Sequence, residues 1–113
     1  MENCLFCKII KGEIPSSIVY QNDDVIAFKD INPQAPVHIL VVPKKHIQCA
    51  LDSEASDGKM LSSVFSAIAK IAKENKLDNG FRIINNCGAD GGQTVPHLHF
   101  HLLGGRALGD KVV

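Results

Sequence analysis

The chain has 113 residues, 45% of them hydrophobic, and its twelve Lys plus Arg balance its twelve Asp plus Glu. That is enough to bury one sizeable core, and we expect a single domain over residues 1–113. A neutral chain with no basic tract gives no reason to expect binding along a nucleic-acid polymer. No stretch approaches the roughly 20 apolar residues needed to cross a bilayer. The start, Met1-Glu2-Asn3-Cys4, lacks a basic region leading into an apolar run, so the expected location is cytoplasmic.

Residues 4–11 read as one or two helical turns ending at Gly12, with Pro15 keeping the following chain out of a helix. Ser17 to Tyr20 and Val25 to Phe28 read as a strand hairpin around the turn Asn22-Asp23-Asp24. Two prolines make residues 30–36 a loop. Val37 to Val42 is then a nearly all-apolar strand, central to its sheet, closed by Pro43. The one long helix carries Leu61, Val64, Phe65, Ile68, Ile71 and Ala72 at spacings of three and four. Ser53 or Ser56 is expected to cap it, and Asn79-Gly80 to stop it. Phe81 to Asn85 and Val95 to Leu103 are the last strands, joined by a glycine-rich loop; the tail from Gly104 shows no periodicity. The pattern is α+β: a five-stranded, mostly antiparallel sheet with one long helix and a short N-terminal helix.

Three of the five histidines, His97, His99 and His101, alternate with Leu98, Phe100 and Leu102. On a strand the imidazoles share one face, with neighbours about 6.6–7 Å apart. Packing does not explain such a row, because every ring brings nitrogens that need partners. A solvated strand face is the plain alternative. Two chemical readings remain: a three-histidine metal site of a hydrolase, or imidazoles acting directly as base or nucleophile. His38, in the central strand, stands where it could pair beside them. In the preceding loop the glycines, Asn86 and Thr94 suit an anion cradle, although Asp90-Gly91-Gly92 taken alone fits a simple turn.

Cys4 and Cys7 form a C-x-x-C, a common zinc half-site, for which His46 and His97 are the best remaining ligands. Redox chemistry is the rival use. Cys49 and Cys87 read as free thiols of the small, buried kind.

The run His97-Leu98-His99-Phe100-His101-Leu102-Leu103 resembles the signature of the histidine triad (HIT) superfamily. The likeness extends over nearly the whole chain: Phe6-Cys7-Lys8-Ile9-Ile10, Ala27-Phe28-Lys29-Asp30-Ile31, Val42-Pro43-Lys44-Lys45-His46-Ile47, Asp90-Gly91-Gly92-Gln93 and Gly104-Gly105-Arg106. It is more similar to the Hint branch, the histidine triad nucleotide-binding proteins, than to branches with another residue at the position of His101.

The resemblance implies the HIT fold and a homodimer with one continuous sheet of ten strands. It implies hydrolysis of purine nucleoside phosphoramidates and acyl-adenylates to AMP or GMP. His99 takes the position of the nucleophile, forming a nucleotidyl-histidine, with His97, His101 and His38 as the other active-site histidines. Asp30 matches the ribose-binding carboxylate, Phe6, Ile9, Phe28 and Ile31 the walls around the base, and Asn86, Gly92 and Thr94 the phosphate contacts. Relatives with C-x-x-C imply structural zinc on Cys4, Cys7, His46 and His97, and no organic cofactor.

The chain departs from the pattern at its C-terminus, which lacks the Trp-Pro-Pro-Gly ending of animal members, and at Cys87, where Glu is common. A nucleotide-binding or protein-interaction module without useful turnover is the alternative from another class, and it leaves three aligned histidines without a use.

Overall fold

The structure, a computed structural model, describes residues 3–113. Its elements run α1 (Leu5–Ile10), β1 (Ile18–Gln21), β2 (Val25–Lys29), β3 (Val37–Pro43), a 3-10 turn (Ser53–Ser56), α2 (Gly58–Glu74), β4 (Arg82–Ile84) and β5 (Phe100–Gly104). The five strands form one sheet in the order β1-β2-β3-β5-β4, with every neighbouring pair antiparallel. The expected α+β fold, with one long helix and a short N-terminal one, is the fold observed.

The β1–β2 hairpin turns on Asn22, whose side-chain oxygen accepts the N–H groups of Asp24 and Val25 at 2.8 and 2.9 Å. Strand alternation then divides the core into two layers. Val25, Ala27, Ile39, Val41, Phe100 and Leu102 face α2. Ile26, Phe28, Leu40 and Val42 face the other way and are covered by Phe6 and Ile9 of α1. β3 is buried on both faces because a layer lies on each side, which is why its sequence reads as an unbroken apolar run.

The long helix differs from expectation at three places. Asp57 caps it, its side chain accepting from the Lys59 N–H, while Asp52 caps the preceding 3-10 turn. Ser53 and Ser56 lie inside that turn and cap nothing in α2. The helix ends at Asn75, whose amide donates to the Ile71 carbonyl at 2.9 Å, and Lys76 takes the left-handed conformation (φ 58°) four residues before Gly80. Phe65 belongs to the apolar stripe yet is 49% exposed, its ring 6.1 Å from that of Phe100. Among the described residues no helix is long and apolar enough to cross a membrane.

The last strand is shorter than its pattern suggests. Pro96 has no N–H to give a ladder. The His97 N–H turns back to the Val95 carbonyl (2.8 Å), and the Leu98 N–H bonds the Ile47 carbonyl in the loop after β3. Pairing with β3 begins only at Phe100, opposite Val41.

Candidate active site and metal centre

Because the strand starts at Phe100, the histidines do not form one evenly spaced row. They still alternate with Leu98, Phe100 and Leu102, which enter the α2-side core, but the three imidazoles go to different partners.

His97, fully buried, turns toward α1. Its Nε2–H donates to the Pro43 carbonyl at 2.8 Å, so its Nδ1 carries a lone pair. That lone pair lies 3.4 Å from Cys4 Sγ, 3.6 Å from Cys7 Sγ and 3.2 Å from His46 Nδ1, and Cys7 Sγ is 3.2 Å from His46 Nδ1. Zn–N and Zn–S bonds of about 2.0 and 2.3 Å make the edges of a tetrahedral N2S2 site about 3.3–3.8 Å long. The four donor atoms therefore already stand near the corners of a zinc tetrahedron. Burial, then the hydrogen bond and charge of Cys4, push the Cys7 thiol up. A bound cation would reverse that, and the donors fit zinc.

His99 sits between the two groups, 4% exposed. Its Nδ1–H donates to the His97 carbonyl at 2.7 Å, which fixes the tautomer and leaves Nε2 unprotonated. Burial lowers its pKa below the ordinary histidine value, opposed by the His97 carbonyl and Asp30. The Phe6 ring stands edge-on to it at 5.0 Å, and the His101 ring lies at 5.1 Å.

His101 belongs to a second cluster with His38 and Asp30. The β3–β5 register sets His38 opposite Leu103 and Leu40 opposite His101, so both imidazoles share the α1-side face. His38 Nδ1 accepts the Gln34 N–H at 3.0 Å, so its Nε2–H donates to His101 Nδ1 at 2.9 Å, with Asp30 Oδ2 at 3.3 Å. His101 is left with its proton on Nε2. Burial first, then the charges of His99 and His38, bring its pKa down to about 4.

The residues matched to nucleotide binding are less uniformly assembled. Phe6, Ile9 and Phe28 make one buried apolar wall, whereas Ile31 is fully exposed on the loop beside it. Among the described residues nothing covers Ile31, so it stands outside that wall. Asp30 Oδ1 accepts the Asn32 N–H at 2.8 Å. Gly92, in the left-handed region at φ 79°, gives its N–H to Ala89 within the loop (3.1 Å), so that donor is not aimed outward. Thr94 is exposed, and one Asn86 amide hydrogen closes the loop on the Gly91 carbonyl at 2.7 Å. Cys49 and Cys87 are free thiols, half-buried rather than buried.

Two side chains escaped the sequence reading. Gln93 accepts the Gly88 N–H and donates to the Gln48 and Val95 carbonyls, tying the glycine loop to the loop after β3. Asn85 donates to the His99 carbonyl at 2.8 Å. The Gln93-to-Gln48 bond spans 45 positions, and no local pattern announces either contact.

The chain is similar to known proteins over nearly its whole length. Residues 11–108 match the model of the HIT domain. The purine nucleoside phosphoramidase of Escherichia coli is 49% identical over 109 residues, covering 96% of this chain and 92% of that one. A histidine triad protein from Clostridium difficile has a solved structure 53% identical to this chain, with TM-score 0.93 over 98% of this chain and 97% of its own. A HIT family hydrolase from Clostridium thermocellum, 49% identical, superposes with TM-score 0.95 over 100% and 99%. The chain belongs to the HIT family.

Proposed function

We propose that this chain hydrolyses the P–N bond of purine nucleoside 5′-phosphoramidates, and related acyl-adenylates, releasing AMP or GMP through a covalent nucleotidyl-His99. One observation carries the reading: a buried imidazole whose Nδ1–H is committed to the His97 carbonyl, leaving Nε2 as a free lone pair. The substrate class is supported by the name of the E. coli relative.

In this reading Nε2 of His99 attacks the α-phosphorus, the P–N bond breaks, and the amine departs with a proton. An anionic phosphate in the site opposes the burial that keeps His101 neutral; with the His38 Nε2–H turned to Asp30 Oδ2, 3.3 Å away, His101 takes a proton on Nδ1 and hands its Nε2 proton to the amine. Asp30, close to His38, offsets the charge. Water then attacks phosphorus, giving a proton back to His101 Nε2, and the bond from phosphorus to His99 Nε2 breaks, which frees the nucleotide and restores His99. His97 acts through its carbonyl. Asp30 would meet the ribose hydroxyls, Phe6, Ile9 and Phe28 the base, and Asn86, Gly92 and Thr94 the phosphate, with exposed Ile31 folding onto the base and Gly92 turning its N–H outward on binding. Zinc on Cys4, Cys7, His46 and His97 would supply a structural cross-link between α1 and the sheet.

We take residues 1–113 as one domain that works in the cytoplasm, none of its four cysteines being in a disulfide. A homodimer is supported by the open edge of β4 and by partly exposed Phe65, Phe81 and Ile83.

The donor clusters favour a second reading, zinc-dependent hydrolysis. Asp30, His38 and His101 bring ligand atoms within 4.8 Å of one another, as do the four residues of the cysteine cluster. A Lewis acid held there would polarise a phosphoryl oxygen and activate water. One experiment separates the readings: release of AMP from adenosine 5′-phosphoramidate by wild-type, chelated and His99→Ala protein, with radiolabelled substrate quenched under denaturing, acid-free conditions. Label on His99 and loss of turnover in His99→Ala support the covalent route. Full activity in His99→Ala, with turnover abolished by chelation of protein that stays folded, establishes the metal route. AMP binding with release no faster than the blank makes the chain a binding module.

A further inference from the structure

We propose that Asn85 is a positioning residue, holding the nucleophile in register with the loop that receives the phosphate; the proposal rests on the assignment of His99 as nucleophile. The β4–β5 ladder runs Arg82↔Leu103, Ile83↔Leu102, Ile84↔His101 and stops there. Beyond it the main chain of β4 leaves the sheet to enter the glycine loop, so His99 has no strand partner on that side. Its carbonyl belongs to a buried residue and must still be satisfied. The Asn85 amide does this at 2.8 Å, standing in for the missing ladder bond.

The consequence reaches the reacting nitrogen. The His99 ring is tied to its own chain through Nδ1–H and the His97 carbonyl. That bond fixes the ring relative to the backbone, and Asn85 fixes the backbone relative to β4. Asn86, the next residue, opens the phosphate loop and closes it through its own amide on Gly91. The Leu98 N–H on the Ile47 carbonyl and the pairing of Phe100 with Val41 hold His99 from the β3 side; on the β4 side the Asn85 amide sets the distance between Nε2 and the loop. Gln93 secures the far end of the loop and leaves this spacing to Asn85.

The test replaces Asn85 with Asp, which keeps size and shape but removes the donor, and with Ala. A misplacement near 1 Å costs about 100-fold in rate, so kcat should fall about 10- to 100-fold in both variants. KM and the Kd for AMP should stay within about threefold, because base and ribose contacts are untouched. The hydrogen-bonded Nδ1 proton of His99 should shift or broaden in the NMR spectrum. Two results would overturn the proposal: kcat within twofold of wild type in both variants, or losses in kcat matched by equal losses in AMP affinity. His99→Ala run alongside keeps the two levels apart. If His99→Ala is inactive while the Asn85 variants turn over normally, only the clamp is wrong. If His99→Ala is fully active, the nucleophile assignment falls and takes the clamp with it.

Discussion

Replacing both Cys4 and Cys7 with serine removes the sulfur donors from the proposed zinc site, and the outcome follows from the helix that carries them. α1 has six residues, well below the roughly 12–15 at which an isolated helix is even marginal in water. Its apolar anchors are Phe6 and Ile9, 4% and 7% exposed, worth about 3–6 kcal/mol together at about 1.5–3 each. Fixing six residues costs about 6 kcal/mol at the low end of about 1 per residue. The two nearly cancel, so the proposed ion would decide whether α1 stays docked. The α2-side core lies on the opposite face of the sheet and shares no residue with the α1 layer. The double variant should therefore melt close to wild type while residues 5–10 lose protection in hydrogen exchange. AMP affinity should drop by about tenfold, the equivalent of 1.4 kcal/mol, because Phe6 leaves the His99 ring. Exchange read by mass spectrometry, with AMP titration with and without zinc, tests this. Unchanged protection of residues 5–10 in the metal-free double variant would refute the reasoning.

Three further outcomes are expected. Ile83→Glu places a charge on the α2-side face of edge strand β4, where Ile83 is partly exposed, and should convert the proposed dimer to monomer in light-scattering measurements; a variant that stays dimeric at micromolar concentration moves the interface elsewhere. Gly91→Ala should weaken AMP binding, since a Cβ there would meet the Cys87 carbonyl oxygen at 2.4 Å and the loop must open; unaltered affinity removes the loop from the phosphate site. His101, neutral in the fold down to about pH 4, protonates near pH 6.5 once unfolded. Below 6.5 the unfolded chain binds more protons, so this contribution is complete above 6.5 and is lost as pH falls toward 4. His101→Gln should flatten the fall in urea midpoint over that window, and an identical slope in the variant would reject the assignment.

What the sequence determined by itself is what period and composition encode locally. The alternation of β2 and β3, the helical stripe of α2, the cysteine pair and the His-x-His-x-His run each lie within a few residues, and strand or helix geometry converts spacing directly into a shared face. These patterns brought the fold class and the candidate site groups within reach. Tertiary structure decided what depends on partners far along the chain. His97 leaves the row because Pro96 ends the ladder and Ile47, in another loop, takes the Leu98 N–H. Phe65 stays half exposed because nothing among the described residues of this chain covers that edge of α2. Asn85 and Gln93 look like ordinary loop amides until the folded chain sets the His99 and Gln48 carbonyls before them. A hydrogen bond between residues 45 apart leaves no periodic trace, because its geometry exists only once the sheet has closed.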